Sequence, residues 1–256
     1  MTRNIFVAAL VAAVIILATF IGCSPSDKSS QSTKTDIKEA TFAIEAVQDT
    51  PMSDADIAEY EQQKAAEAAE AARIQRYSKF QVGDYSDTLM VGDSIMVLSS
   101  WSLEDYLPGI TIDACSGRSM ESGGVAEGGG SGDGVLDHIR ALDPSSYSRY
   151  VVGTGNNDGS GMQYEDGLEI VNTLGSDCEI WFVTELVTNN STGTANTNAT
   201  IAQLAEEFDN VRVIDWYAAV SPAPSRYLAD NCHPGTQEAR DMYAGLVKEG
   251  LDSVVI

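Results

Sequence analysis

The sequence predicts an α/β protein in which helices cover both faces of a central parallel sheet. Along residues 83–256, short apolar or β-branched runs alternate with segments of helical pattern, and their spacing suits right-handed crossover connections. Polar or glycine-containing motifs follow four of the runs, as expected where functional groups collect beyond the carboxyl ends of parallel strands. These observations indicate a three-layer α/β/α architecture with about five strands, the flavodoxin-like arrangement.

The predicted strands and helices alternate along the chain. Strands are expected at residues 88–91, 110–113, 150–153, 179–184 and 211–215. Helices are expected at residues 95–107, 134–142, 162–174, 195–208 and 236–251. The stretch 123–134 contains seven glycines, which predicts a mobile loop beside the carboxyl ends of the strands.

Residues 1–23 have the composition of an export signal. Arg3 supplies a positive charge, residues 5–21 are almost entirely apolar, and a polar segment follows Cys23. Residues 20–23 also look like a bacterial lipobox, in which the signal is cut before a cysteine that carries lipid, here Cys23. An uncleaved membrane anchor is the alternative, because about 17 apolar residues are at the short edge of what crosses a bilayer. Both interpretations place the rest of the protein outside the cytoplasm and attached to the membrane.

Residues 24–82 are predicted to connect this signal to the globular domain. Residues 24–50 are polar, as is typical of a flexible tether. Ser53 can cap a helix over residues 52–76, whose Ala- and Glu-rich centre strongly favours helix formation. The apolar face of this helix is thin, so we expect an exposed spacer, with a coiled-coil contact as the alternative. The globular domain is predicted at residues 83–256.

Charge and composition argue against several classes of function. The formal net charge is −23 at pH 7, and 43% of the residues are hydrophobic. Such an acidic surface repels phosphate backbones, which argues against nucleic-acid binding, and it suits a soluble exported domain. No His or Cys cluster has metal-ligand spacing, and no glycine-rich phosphate loop with a Lys follows a strand. Neither a metal nor a nucleotide cofactor is therefore predicted.

Two motifs at opposite ends of the domain predict a serine nucleophile and its base. Gly92-Asp93-Ser94 follows the first strand and places Ser94 at the start of a helix. Asp230 and His233 lie three residues apart, so one loop can carry both a base and the carboxylate that orients it. The second histidine of the chain, His138, lies inside a predicted helix and is less suited to act as the base.

The motifs resemble the ordered blocks of the GDSL or SGNH hydrolase superfamily over about residues 88–251. The blocks are Gly92-Asp93-Ser94, the glycine after the second strand, the Gly155-Asn156-Asn157 motif, and Asp230 with His233. Residues 198–200 and 211–216 further resemble the extracellular domain of peptidoglycan O-acetyltransferases. That resemblance implies acyl-ester chemistry on a carbohydrate. No multi-span acyltransferase domain is visible before the motifs, so we expect any acyl donor to come from another membrane protein.

The resemblance also implies which groups would stabilise a developing oxyanion. The backbone N–H of Ser94, at a helix N-terminus, is one expected donor, and the backbone N–H of Gly117 is the second. The third would be an Asn side chain. If Gly155 is the block glycine, that side chain is Asn157; if Gly153 is, it is Asn156. The Gly-x-Asn-Asp spacing favours Asn157.

The predicted function is that of an exported serine esterase or O-acetyltransferase acting on O-acetyl groups of cell-wall or surface glycans. A non-catalytic glycan-binding domain is the first alternative. A lipase or thioesterase is the second, and the polar loops expected at 189–198 and 123–134 argue against it. Arg118 could contact substrate, although pairing with a carboxylate is the favoured interpretation.

Three cysteines remain once Cys23 is assigned to lipid. The predicted topology puts Cys115 and Cys232 at one end of the sheet and Cys178 at the other. Any disulfide is therefore expected to join Cys115 to Cys232 and to leave Cys178 as a buried thiol. The alternative is three reduced cysteines.

Overall fold

Five parallel strands form the centre of the protein. A computed structural model describes residues 53–78, 80–125 and 132–254. The strands are β1 (Thr88–Gly92), β2 (Thr111–Ala114), β3 (Arg149–Gly153), β4 (Glu179–Val183) and β5 (Val211–Ile214). Their order across the sheet is β2-β1-β3-β4-β5, and all pairs are parallel. Gly92 pairs with Ala114 on one side and Gly153 on the other, so these three strands end level with one another.

Helices cover both faces of this sheet. Along the described residues the helices are α1 (Asp54–Tyr77), α2 (Ser94–Tyr106), α3 (Val135–Ala141), α4 (Tyr164–Leu174), α5 (Ser191–Glu207), α6 (Trp216–Val220), α7 (Pro224–Tyr227) and α8 (Gln237–Asp252), and those that cover the sheet are α2 to α5 and α8. Helices α2 and α8 share one hydrophobic core with the sheet, and α3, α4 and α5 share the other. The three-layer α/β/α architecture predicted from the sequence is confirmed.

The strand side chains alternate between the two cores. Met90 and Trp181 pack with α2 and α8, whereas their neighbours Leu89 and Phe182 pack with α3 to α5. Strands β1, β3 and β4 are buried at every residue, because helices cover both faces of a parallel sheet. The central strands are therefore apolar runs rather than alternating ones, which is why the sequence located them well.

Helix α5 begins earlier than the sequence predicted. Residues 191–194, expected in a polar loop before the helix, form its first turn, and the Asn190 side chain caps it by accepting from the Gly193 N–H at 3.0 Å. Thr194 and Thr197 are buried there and accept backbone N–H groups of neighbouring loops, at 3.0 Å from Val187 and 2.9 Å from Met162. The polar side chains of Thr194 and Thr197 thus bind α5 to the neighbouring loops.

The buried core also begins before residue 83. Tyr77 and Phe80 are buried in the core that α2 and α8 share, and the Arg149 guanidinium lies 4.9 Å from the Phe80 ring centre. Helix α1 is exposed from residue 54 to 75, and Ser53 caps it by accepting the Asp56 N–H, as predicted.

The predicted signal, lipidation site and tether lie outside the described residues. Within the described ranges, none of the helices has the length and hydropathy needed to cross a bilayer.

Cys115 and Cys232 are free thiols in the structure. The expected disulfide between Cys115 and Cys232 is therefore not formed, while Cys178 is buried as predicted. The Cys115 N–H donates to the Gly92 carbonyl at 3.2 Å, and the Cys232 N–H donates to Asp230 Oδ1 at 2.8 Å. Each backbone is held by its own strand end or loop, and sharing one end of a sheet does not supply the close approach that a disulfide needs.

Candidate active site

Ser94, His233 and Asp230 form one continuous chain of hydrogen bonds. Ser94 is the first residue of α2, directly beyond β1, and its Oγ lies 2.8 Å from His233 Nε2. His233 Nδ1 lies 2.8 Å from Asp230 Oδ2. Because the carboxylate can only accept, Nδ1 carries the proton and Nε2 of the neutral ring accepts from the Ser94 hydroxyl. The imidazole can therefore take the serine proton while the carboxylate fixes its tautomer.

The loop that carries His233 is organised by Asp230. Asp230 Oδ1 accepts the backbone N–H groups of Cys232 and His233, each at 2.8 Å. The backbone bond from His233, its side chain and the bond from Cys232 lower the pKa of Asp230 to about 2. An antiparallel bridge between Leu228 and Pro234 closes the loop. The three-residue spacing thus lets one carboxylate hold both the loop backbone and the ring.

Asp93 is buried behind the nucleophile and caps α2. Its Oδ1 accepts the Ile95 N–H at 2.9 Å, and its Oδ2 accepts from Asn156 Nδ2 at 3.1 Å. Burial raises the pKa of Asp93 to about 6, and the hydrogen bonds from Ile95 and Asn156 oppose that rise. The middle residue of the Gly-Asp-Ser motif therefore orders the nucleophile turn.

Three hydrogen-bond donors line the space in front of Ser94. The N–H groups of Ser94 and Gly117 donate to no acceptor among the described residues. Gly117 has a φ of 79°, which a residue with a side chain rarely adopts, and a Cβ there would meet nothing within 4 Å. The Asn157 side chain lines the same pocket, held by its Nδ2 donating to the Arg118 carbonyl at 2.9 Å. Donors so placed suit an oxyanion.

The two adjacent asparagines point to different places. Asn157 lines the pocket, whereas Asn156 donates to the buried Asp93. The preceding Gly155 has a φ of 129°, and the Asn156 N–H that follows donates to Glu185 Oε1 at 3.1 Å. The structure therefore brings Asn157 together with Ser94 and Gly117 and leaves Asn156 behind the nucleophile.

Glu185 is a buried acid that the sequence analysis gave no role. Burial raises its pKa well above the ordinary value, and the carboxylate of Asp93 raises it further, while the Asn156 N–H opposes the rise. Its Oε2, Asn156 Oδ1 and Thr154 Oγ1 are buried and have no hydrogen-bond partner among the described residues. The only sequence signal for Glu185 was its position after β4, at the edge where functional groups collect.

The pocket in front of Ser94 has a volume of about 610 Å³. It is lined by Ser94, Val97, Leu98, Ser116, Gly117, Asn157, Ala229, Asp230, His233, Pro234, Gly235 and Arg240. This volume is within the range of small-molecule sites. Apolar side chains of α2 and of the loop that carries His233 thus lie beside the nucleophile, together with the polar residues Ser116 and Asn157. Arg240 and the two α2 side chains were not singled out from the sequence.

Arg118 and His138 lie outside this pocket. Arg118 is fully buried and pairs with Asp113, its Nη2 lying 2.5 Å from Asp113 Oδ1. This agrees with the structural interpretation that the sequence favoured. Burial lowers the pKa of His138, whose Nε2 lies 3.6 Å from the same carboxylate. Among the described residues, no three His, Cys, Asp or Glu side chains converge as a metal site requires.

Solved structures share this fold. The chain is similar to the C-terminal catalytic domain of peptidoglycan O-acetyltransferase A (OatA) from Streptococcus pneumoniae, with a TM-score of 0.54 and 19% identity over 68% of this chain and 96% of that one. A member of the lipolytic G-D-S-L family from Veillonella parvula matches with a TM-score of 0.48 and 16% identity, over 63% of this chain and 96% of that one. No protein-family model and no curated protein sequence matches. The protein therefore shares the fold of this O-acetyltransferase catalytic domain, which agrees with the fold that its motifs predicted.

Proposed function

We propose that this protein is a serine esterase or O-acetyltransferase that acts through an acyl-Ser94 intermediate. The hydrogen-bonded chain from Ser94 through His233 to Asp230 carries the proposal, because it joins a nucleophile, a base and an orienting carboxylate. The chain's likeness in fold to an O-acetyltransferase catalytic domain supports it.

The reaction has two halves. Ser94 Oγ attacks the ester carbonyl and passes its proton to His233 Nε2, while the oxyanion accepts from the N–H groups of Ser94 and Gly117 and from Asn157 Nδ2. Collapse of this intermediate breaks the ester bond, and His233 returns the proton to the leaving alcohol. Water or a sugar hydroxyl then attacks acyl-Ser94 while His233 takes its proton. Collapse of this second intermediate breaks the acyl–Oγ bond, His233 returns the proton to Ser94 Oγ, and the acid or a new ester is released.

The proposed substrate is an O-acetylated cell-wall or surface glycan, and the proposed location is the outer face of the cell membrane. Residues 1–23 support export and anchoring through Cys23. The structural relative named above as a peptidoglycan O-acetyltransferase supports the substrate class. If the reaction is transfer, the acyl group would come from a separate membrane protein. Turnover of 4-nitrophenyl acetate that accelerates when a glycan acceptor is added would support transfer over hydrolysis.

Labelling by a fluorophosphonate probe tests the nucleophile. We expect folded wild-type protein to be labelled once, at Ser94, and Ser94→Ala to lose both labelling and 4-nitrophenyl acetate turnover, because the nucleophile is gone. Ser100→Ala, on the same helix, is the matched control and should keep both. Absence of labelling in folded wild-type protein would favour the non-catalytic glycan-binding domain instead.

A further inference from the structure

Arg240 is the exception among the cations of the domain. Residues 83–254 contain seven Lys or Arg side chains. Six of them form salt bridges with carboxylates: Arg118, Arg140, Arg149, Arg212, Arg226 and Lys248. Arg240 forms none with any described residue, and its single side-chain hydrogen bond there is a long one of 3.4 Å from Nε to the Pro234 carbonyl.

The lack of a partner is unusual in so acidic a chain. The whole sequence has 38 Asp or Glu against 15 Lys or Arg, so a guanidinium readily finds a carboxylate. Asp230 lines the same pocket as Arg240, but its Oδ1 accepts two backbone N–H groups and its Oδ2 accepts from His233. The nearby carboxylate is thus committed to the catalytic loop, and the Nη donors of Arg240 are left for another acceptor.

Arg240 is also held in place at the pocket. It lies in the first turns of α8, where its backbone N–H donates to the Thr236 carbonyl at 3.2 Å, and its side chain is half-buried. It lines the pocket of about 610 Å³ together with Ser94 and His233, so one ligand can touch all three. The walls from Val97 and Leu98 carry no charge.

We propose that Arg240 binds an anionic substituent, a carboxylate or a phosphate, carried by the same carbohydrate that carries the ester. The proposal rests on the function proposed above and adds a specificity-determining residue to it. A guanidinium presents a planar fork of donors that matches either anion. One local cation would also offset the repulsion that a net charge of −23 exerts on an anionic substrate.

Kinetics on matched esters test this assignment. The substrates are O-acetylated methyl glucuronoside, O-acetylated methyl glucoside 6-phosphate and O-acetylated methyl glucoside, with released acetate as the readout. We expect Arg240→Gln to lower kcat/KM about tenfold or more on at least one anionic ester, and by a clearly smaller factor on the neutral ester. Arg226→Gln removes the same charge from an exposed ion pair with Glu238 and should change none of the three.

A binding measurement separates this proposal from the catalytic one. Methyl glucuronoside and methyl glucoside 6-phosphate are titrated into Ser94→Ala protein with and without Arg240→Gln. If Ser94→Ala protein binds one of these two ligands and the added Arg240→Gln change abolishes that binding, the anion site is supported. That support holds even if the wild-type protein cleaves no ester, a result that would overturn only the enzymatic function. No binding of either anion, or an equal fall of kcat/KM on neutral and anionic esters, overturns the role of Arg240.

Discussion

Neighbouring residues in the site perform unlike tasks because the backbone turns between them. Asn156 donates to the buried Asp93, and Asn157 lines the pocket beside Ser94. A left-handed glycine, Gly155 at a φ of 129°, precedes the pair and sets their directions. One amide therefore supports the nucleophile turn from behind, and the other is available to an oxyanion in front of it.

Alanine variants of the two asparagines should separate these tasks. We expect Asn157→Ala to lower kcat by about 10²–10³-fold, because one oxyanion donor is lost, and to lower the Tm less than Asn156→Ala does, because Asn157 is exposed. Asn156→Ala should lower the free energy of unfolding by about 1–3 kcal/mol, because Asp93 Oδ2 loses its donor in a buried site. Acetate release and thermal unfolding are the measurements. The reverse pattern would assign the oxyanion role to Asn156.

Helix α2 links the nucleophile to a surface that can extend the site. Ser94 begins the helix, Leu98 lines the pocket one turn later, and Trp101 follows on the same face. Trp101 is 86% exposed, far more than is usual for so large an apolar ring. It lies about 10 Å along the helix axis from Ser94, beyond the reach of an acetyl group. We expect a second sugar ring of the proposed glycan substrate to stack on the Trp101 ring.

Truncating Trp101 should affect long substrates alone. We expect Trp101→Ala to lower kcat/KM about two- to tenfold on an acetylated oligosaccharide, because an aromatic stacking contact is lost. Turnover of 4-nitrophenyl acetate should be unchanged. Tyr106→Ala is the matched control, since Tyr106 is an exposed aromatic on another face of the same helix. An equal loss on both substrates would contradict the contact and indicate damage to the helix.

At the scale of the whole molecule, the buried acids Asp93 and Glu185 and the exposed acid Asp230 change the free energy of unfolding in opposite directions as the pH rises. Burial raises the pKa of both Asp93 and Glu185, so the folded state holds their protons at pH values where the unfolded chain has released them. The contribution of these two acids to the free energy of unfolding therefore falls as the pH rises from about 4 through 6 and beyond. Asp230, with its pKa lowered to about 2, contributes stability that is lost as the pH falls from about 4 towards 2.

Replacing Glu185 by its neutral isostere should weaken the fall of the free energy of unfolding with rising pH. We expect Glu185→Gln to reduce the loss of unfolding free energy between pH 5 and pH 8, since the amide never ionises, while its oxygen can still accept the Asn156 N–H. Urea unfolding at both pH values is the measurement. Glu104→Gln, an exposed site on α2, is the control and should follow wild type. An unchanged slope in Glu185→Gln would show that Glu185 ionises in the folded protein as it does in the unfolded chain.

The sequence predicted most of the sheet and the three residues of the hydrogen-bonded chain. The central strands are continuous apolar runs, and Ser94, Asp230 and His233 sit in short motifs whose spacing is local. It placed the start of α5 a few residues too late, because Thr194 is polar yet buried, where its Oγ1 accepts the Val187 N–H. Of the two outcomes left open for the cysteines, the structure has no disulfide between Cys115 and Cys232, since topology fixes an end of the sheet and not a distance between sulfurs.

By itself, the sequence determined the order of strands and helices and the chemical types at each strand end, because both depend on hydrophobic periodicity and short motifs. Only the tertiary structure decided that Asn157 rather than Asn156 faces the pocket, that Glu185 lies against Asn156, and that Arg240 lines the pocket without an ion pair to any described residue. These facts depend on which side chains from distant segments meet, and on the burial and charge around them, and no local pattern encodes that meeting.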